Sequence, residues 1–425
     1  MDFSLSNEQR SWQMLARKFA DEEIRPISLG RDAIPTARET WTWDIIKKGS
    51  KLGFRTMAVP KKYGGQETDF VTQALVMTEL AKADSAISKA FSQNWKWSHL
   101  ISAACTDEQK ERFLKPFVAD DTFVLGKGIT EPGAGSDNRM PPTDDPKPGL
   151  RLKAERHGDE WILNGEKAFI ANAPIGKLFF VDARTDPTVP LKQGITMFLV
   201  PSDTPGFRIG KVFNKSGWRF YQNGEMIFEN ARVPHSNVVG EVNGAVRKTG
   251  GASGDTTGGD LFGDLELSAN ALGICDDACD GALRYGKTAR QGGQALFAQQ
   301  QVQLKINRMY MMTEALRSFV LRVAWEHDRK IHSCNAGLAM NYSCDVVQEV
   351  TELYMDIRSA DGGHMDPHTD KLVRDSFIWS HLAGDSVSRM KVKTDYQLTV
   401  RAMAGLGQIR PFRGIAVGHP AEIRI

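Results

Sequence analysis

Apolar residues recur at helical intervals through the first and last parts of the chain and alternate through the middle, an order that admits few folds. Ser6 and Gln9 have the spacing of a capping box, and Trp12, Leu15, Ala16 and Phe19 follow on one helical face. The same pattern predicts helices near residues 41–53, 68–83 and 107–118, interrupted at Pro60 and at Gly64-Gly65. Beyond residue 121 the period changes. Leu150 to Glu155 alternates, Asn164-Gly165 makes a turn after Trp161-Ile162-Leu163, and apolar runs at 178–183, 195–200 and 226–228 read as short strands. A Gly-rich run at 249–259 reads as a flexible linker. After it Val302, Ile306, Met309, Thr313, Leu316, Val320 and Val323 step by four and three, the stripe of a helix packed in a bundle.

A chain of 425 residues is too long for one core. The expected fold class is α+β and multidomain: an N-terminal helical domain over 1–120, a middle antiparallel β-barrel or sandwich over 121–240, a C-terminal four-helix bundle over 241–392, and an extension over 393–425. A net charge of +2 leaves no electrostatic footprint for nucleic acid. No run approaches the roughly 18 apolar residues that span a bilayer, and MDFSLSNEQR lacks the basic and apolar regions of a signal peptide. Cysteines at 105, 275, 279, 334 and 344 form no paired framework, so reduced thiols and a cytoplasmic address are expected. Cys275 and Cys279 share a helix face without a third ligand, which predicts structural thiols and no metal.

At the junction of the first helical part and the β part stands Ile129-Thr130-Glu131-Pro132-Gly133-Ala134-Gly135-Ser136-Asp137. It resembles the ITEPxAGSD signature of acyl-CoA dehydrogenases. Leu163-Asn164-Gly165-Glu166-Lys167 resembles that family's LNGxKxWITN, Gly194 to Val200 its GITxFLV, and Phe228 to Pro234 its FEDVRVP. The resemblance spans about residues 1–392. It implies homo- or heterotetrameric subunits with FAD between the β domain and the bundle. It also implies an acyl-CoA thioester stacked on the flavin, a carboxylate that takes the α-proton, a β-hydride passed to the flavin, and an electron-transferring flavoprotein as acceptor. An α-C–H is weakly acidic, so such chemistry needs a base within reach and hydrogen bonds on the thioester carbonyl.

The resemblance implies cofactor contacts at Ile129, Thr130, Phe169, Ala171, Arg290, Gln300 and Asp361, and substrate contacts at Ser136 and Arg219. Several positions depart from the family pattern. Phe169-Ile170-Ala171 replaces WIT and so lacks a threonine hydroxyl toward the flavin. Arg290 is displaced by one residue, and Asp361 stands in a segment usually rich in glycine. After Arg374-Asp375 the family's glutamate base aligns with Ala383, and alanine takes no proton. Base candidates are therefore Asp385 and His381 nearby, or Asp264 and Glu266 beside Gly263, the position that aligns with the base in relatives that carry it on a bundle helix. Trp95, Trp97 and His99 form a bulky cluster with two readings, a border of the pocket or, as expected for the tryptophans, packing between helices. Asn138 to Gly149 and the run at 249–259 look inserted.

Three functions remain open from the sequence. One is an FAD-dependent acyl-CoA dehydrogenase with a relocated base. Another is a flavoenzyme of the same fold performing decarboxylation, desulfination or oxygenation. The third is a non-catalytic subunit of a heteromeric dehydrogenase whose partner carries the base.

Overall fold

The computed structural model describes residues 4–135, 144–245, 259–331, 335–363 and 367–381. Helices α1 (Asn7–Phe19), α2 (Arg25–Asp32), α3 (Trp43–Lys51), α4 (Phe70–Ala83), α5 (Ser85–Ala104) and α6 (Asp107–Ala119) come first. The capping box forms as expected: Ser6 Oγ accepts from the Gln9 N–H, and Gln9 Oε1 accepts from the Ser6 N–H. Asp84 alone separates α4 from α5, and its carboxylate accepts from the N–H groups of Ala86 and Ile87. α5 is buried on almost every side and runs through the interior, so it shows no amphipathic stripe.

The middle of the chain forms one seven-stranded sheet. Its strands are β1 (Leu125–Gly128), β2 (Lys153–His157), β3 (Glu160–Ala171), β4 (Leu178–Arg184), β5 (Ile195–Pro201), β6 (Phe207–Val212) and β7 (Asn223–Pro234). The order is β1-β4-β2-β3-β7-β6, with β5 on the other side of β4. The sheet is antiparallel, as the alternation predicts, except that β4 runs parallel to β1 and meets β2 in parallel through Lys153 and Arg184. Inside it Leu152, Trp161, Phe179, Phe198 and Phe228 pack together, while Leu125, Phe180 and Met197 pack against Trp97, Phe113 and Phe117 of α5 and α6.

The final helical region holds α7 (Gly259–Thr288), α8 (Gln300–Asp328), α9 (Asn335–Arg358) and α10 (Pro367–Phe377), with a small hairpin of β8 (Arg290–Gln291) and β9 (Gln294–Ala295) between α7 and α8. The predicted stripe from Val302 to Val323 is buried along its length. α7 packs against α8 and α9 on one side and against α4 and α5 on the other, so the two helical regions share one apolar cluster. Cys105, Cys275, Cys279 and Cys344 are free and buried; Cys334 lies outside the described residues. Residues 138–143 and 249–258, from the two inserted stretches, and the extension from 393 also lie outside them. Among the described residues no helix is long and apolar enough to cross a membrane.

Candidate active site

The loop after β1 is built around a buried ion pair. Glu131 is 4% exposed and accepts from the N–H of Leu152 at 3.0 Å, from the N–H of Arg151 at 2.5 Å and from Lys167 Nζ at 2.7 Å. Lys167 Nζ also donates to the Ile129 carbonyl at 3.0 Å, and the Ala168 N–H donates to the Thr130 carbonyl at 2.8 Å. Burial pulls the Lys167 pKa down, against the opposing pull of Glu131. The acid of the motif is thus a bracket that fixes the loop to β3. Reciprocal 3.1 Å main-chain bonds between Glu131 and Ala134 close the turn, and Gly133 takes a φ of 75° that only glycine adopts without strain. The tip at Pro132, Gly133 and Gly135 is exposed. Ser136 lies outside the described residues.

At the end of β3 the pairing with β7 slips between Lys167 and Ile170. Phe169 sits in the slip with a φ of 58°, a region bulky residues avoid, and its ring is turned outward to 61% exposure. It stacks on Phe213 with centroids 4.3 Å apart and planes within 17°. Three residues on, Asn172 Nδ2 donates to the Leu125 carbonyl at 2.8 Å while its Oδ1 is buried with no partner among the described residues. Ala171 packs against the cluster that holds Tyr221 and Leu265.

Between Leu265 and Leu267 of that cluster stands Glu266, which is 0% exposed. Lys89 Nζ lies 2.5 Å from Glu266 Oε1, and Ser92 Oγ donates to the same oxygen at 2.6 Å. Glu266 Oε2 is buried with no partner among the described residues. Burial lowers the Lys89 pKa, and Glu266 opposes the shift. From the segment between β6 and β7 comes Tyr221, 4% exposed, whose hydroxyl is also buried and has no partner among the described residues. Its pKa is pushed well up, first by burial and then by the charge of Glu266.

The other base candidates sit differently. Asp264 is 6% exposed, one turn or less before Glu266, and its carbonyl accepts from Ser268 Oγ. A side chain at Gly263 would begin 2.5 Å from Lys96 Nζ, so a lysine of α5 occupies the space that the aligned base would need. His381 is exposed in the turn after α10. Ala383 and Asp385 lie outside the described residues. Arg290 and Gln300 are exposed at the hairpin end of the bundle, and Asp361, exposed too, accepts from Tyr285 Oη at 2.6 Å. Among the described residues no hydrogen bond or ion pair joins these three to Thr130 or Phe169. Arg219 gives its guanidinium to the carbonyls of Asp32, Ile34 and Lys215, which makes it a tie between the sheet and the segment after α2.

A second buried network joins all three parts of the chain. Asp375 accepts from the Trp218 N–H, from Ser85 Oγ and from Lys371 Nζ, and Lys371 also faces Asp84. Gly217 has no side chain because one would begin 2.3 Å from the Arg374 carbonyl. Trp218 packs edge-on against Trp379 at 4.6 Å and against Tyr221 at 5.9 Å, and Trp379 Nε1 donates to the Leu267 carbonyl next to Glu266. Lys89 and Ser92 are functional candidates that sequence reasoning did not find. Trp95 packs among the helices as expected, its Nε1 donating to the Phe54 carbonyl, whereas Trp97 turns to the sheet and meets Phe180 of β4.

Family models described as the N-terminal, middle and C-terminal domains of acyl-CoA dehydrogenase match residues 6–121, 126–231 and 263–392. The Bacillus subtilis protein named "Probable acyl-CoA dehydrogenase YngJ" is 30% identical over 386 residues, covering 88% of this chain and 94% of its own length. A 3-(aryl)acrylate reductase of Clostridium sporogenes is 31% identical over 375 residues, covering 88% of this chain and 93% of its own. Among solved structures, butyryl-CoA dehydrogenase from Megasphaera elsdenii superposes with a TM-score of 0.84 at 28% identity, covering 94% of this chain and 100% of the other.

Proposed function

Because this chain belongs to the acyl-CoA dehydrogenase family, we propose that it is an FAD-dependent enzyme that desaturates an acyl-CoA thioester between its α- and β-carbons, with Glu266 as the base. The observation that carries this reading is the asymmetry of that carboxylate. Lys89 and Ser92 both occupy Oε1, which orients the group and leaves Oε2, buried and unpartnered, to take a proton. Lys89 places its ammonium 2.5 Å from Oε1 and so pins the carboxylate by the oxygen that is not offered to the substrate.

The residues around the end of β3 fit a flavin. Phe169, exposed and stacked on Phe213, offers a planar surface for an aromatic ring, Asn172 Oδ1 is a buried acceptor without a donor among the described residues, and the exposed tip of the Glu131 loop is fixed beside them. When bound, FAD supplies the acceptor for the β-hydride. Ala171 has no hydroxyl to add, so main-chain groups of the Thr130 loop and of β3 carry the polar contacts. Arg290, Gln300 and Asp361 sit on an exposed end of the bundle, which suits contact with a second subunit's cofactor in a homo- or heterotetramer. We read an electron-transferring flavoprotein as the acceptor, a cytoplasmic address from the free buried thiols, and domain limits at 120, 240 and 392.

The missing hydroxyl at Ala171 and the acid at Asp361 favour a second reading, a supporting subunit whose partner carries the chemistry. Anaerobic titration of the purified protein with a panel of acyl-CoA thioesters tests both. Near-stoichiometric flavin that bleaches with one thioester supports the enzyme; colourless protein that gains flavin only with a partner subunit supports the second reading.

A further inference from the structure

Taking an α-proton creates negative charge on the thioester oxygen, so a base alone does not complete the site; a hydrogen-bond donor must meet that oxygen in a place closed to water. Among the described residues, the cluster beside Glu266 holds two packed rings with buried donors that lack an acceptor, Trp218 Nε1 and the Tyr221 hydroxyl, and the hydroxyl is the one that feels the charge of Glu266. Buried polar atoms without partners are uncommon in folded proteins and point to an absent water or ligand. Here a donor and an acceptor are left over together. Tyr221 and the residues flanking Glu266, Leu265 and Leu267, belong to one buried cluster, and the Tyr221–Trp218–Trp379 packing ends on the Leu267 carbonyl.

We propose that Tyr221 is a second catalytic residue, whose hydroxyl donates to the thioester carbonyl oxygen of the substrate while Glu266 Oε2 removes the α-proton. The proposal rests on the dehydrogenase reading with Glu266 as base. In this step the α-C–H bond breaks, its proton forms an O–H bond on Glu266, and its electron pair moves toward the carbonyl, whose oxygen gains charge and is held by the Tyr221 O–H. Tyr221 transfers no proton. Its raised pKa keeps the hydroxyl protonated, as a donor must be. Lys215 Nζ fixes the main chain at this residue through the Tyr221 carbonyl at 2.5 Å and Asn223 Oδ1 at 2.6 Å, so the ring is presented on an anchored segment.

The test separates proton removal from hydride transfer. Acetyl-CoA and tert-butylacetyl-CoA have α-hydrogens and no β-hydrogens, so their exchange in deuterated water, followed by NMR with the holoprotein, needs no hydride acceptor. The parent protein is expected to catalyse exchange on at least one of them. Y221F is expected to slow it by about 100-fold or more, the effect of removing one such donor. Flavin content should hold, and the thermal midpoint should be unchanged or higher, because a leftover buried hydroxyl is gone. Y221H, which retains a ring N–H, is expected to recover part of the rate and covers the case in which Y221F does not fold. Exchange by Y221F at the parent rate, with E266Q inactive, overturns the role of Tyr221 and leaves the base standing. Exchange by E266Q at the parent rate, or none by the parent on either thioester, overturns both.

Discussion

The carboxylate of Asp375, on α10, accepts a 2.7 Å hydrogen bond from the main-chain N–H of Trp218, in the segment between β6 and β7. The same carboxylate accepts from Ser85 of α5 at 3.0 Å and from Lys371 at 2.6 Å. One buried side chain therefore registers the N-terminal helices, the sheet and the bundle against one another. It also sets the position of Trp218, between Tyr221 and Trp379, and through them the surroundings of Glu266.

Replacing that acceptor should loosen the whole junction. Asp375→Asn removes one charge of a buried pair while Asp84 still faces Lys371 at 3.3 Å, so a loss of about 3 kcal/mol is expected, the low end for breaking such pairs. Urea unfolding measures it. Because Trp218 and Trp379 meet edge to face, their fluorescence should change in the folded baseline as well.

The Lys89–Glu266 pair should behave as a unit. Lys89→Met leaves a buried carboxylate without its counter-charge and is expected to cost about 3–5 kcal/mol, whereas the double variant Lys89→Met/Glu266→Gln should recover most of that loss. A double-mutant cycle from denaturation midpoints reads the coupling directly.

Much of the fold was legible because the signals are local. The capping box at Ser6, the stripe from Val302 to Val323 and the loop motif each need only a short window of sequence. The site was less legible. Lys89 and Ser92 lie on α5, which is buried all round and so carries no polar face to mark them; only the packing of α5 on α7 shows what they touch. Glu266 was one candidate among four because the linker before it blurs the alignment. Arg219 is tied to carbonyls of residues far away in sequence, which no motif records. Arg374-Asp375 was visible as a pair, but its role at the junction depends on Gly217 and Trp218, more than a hundred residues earlier.

Acid should weaken the fold through His99. Burial, then the nearby His327, pushes the His99 pKa down to about 4, and its ring stacks on Phe70 and meets Phe262 while Nε2 reaches Gln73 Oε1 at 3.0 Å. The neutral ring is the form the fold accepts. Stability from this group is therefore full above the unfolded pKa of about 6.5 and is lost as pH falls toward 4, by at most about 1.4 kcal/mol per pH unit. His99→Gln, neutral at every pH, should flatten the difference between urea midpoints measured across that window.

The loop bracket predicts a link between stability and cofactor retention. Glu131→Ala strands the Lys167 ammonium and two main-chain N–H groups, so a loss of about 3–5 kcal/mol is expected together with a lower flavin content after gel filtration. Absorbance ratios and thermal midpoints on the same samples check both parts.

The most direct test of the account is the rate at which substrate bleaches the flavin in a stopped-flow instrument, parent against Glu266→Gln, with the thioester that reacts best in anaerobic titration. The account predicts that Glu266→Gln binds flavin and thioester but bleaches about 100- to 10,000-fold more slowly, the range for removing a general base. Bleaching by Glu266→Gln at the parent rate would contradict it and place the base elsewhere in the chain.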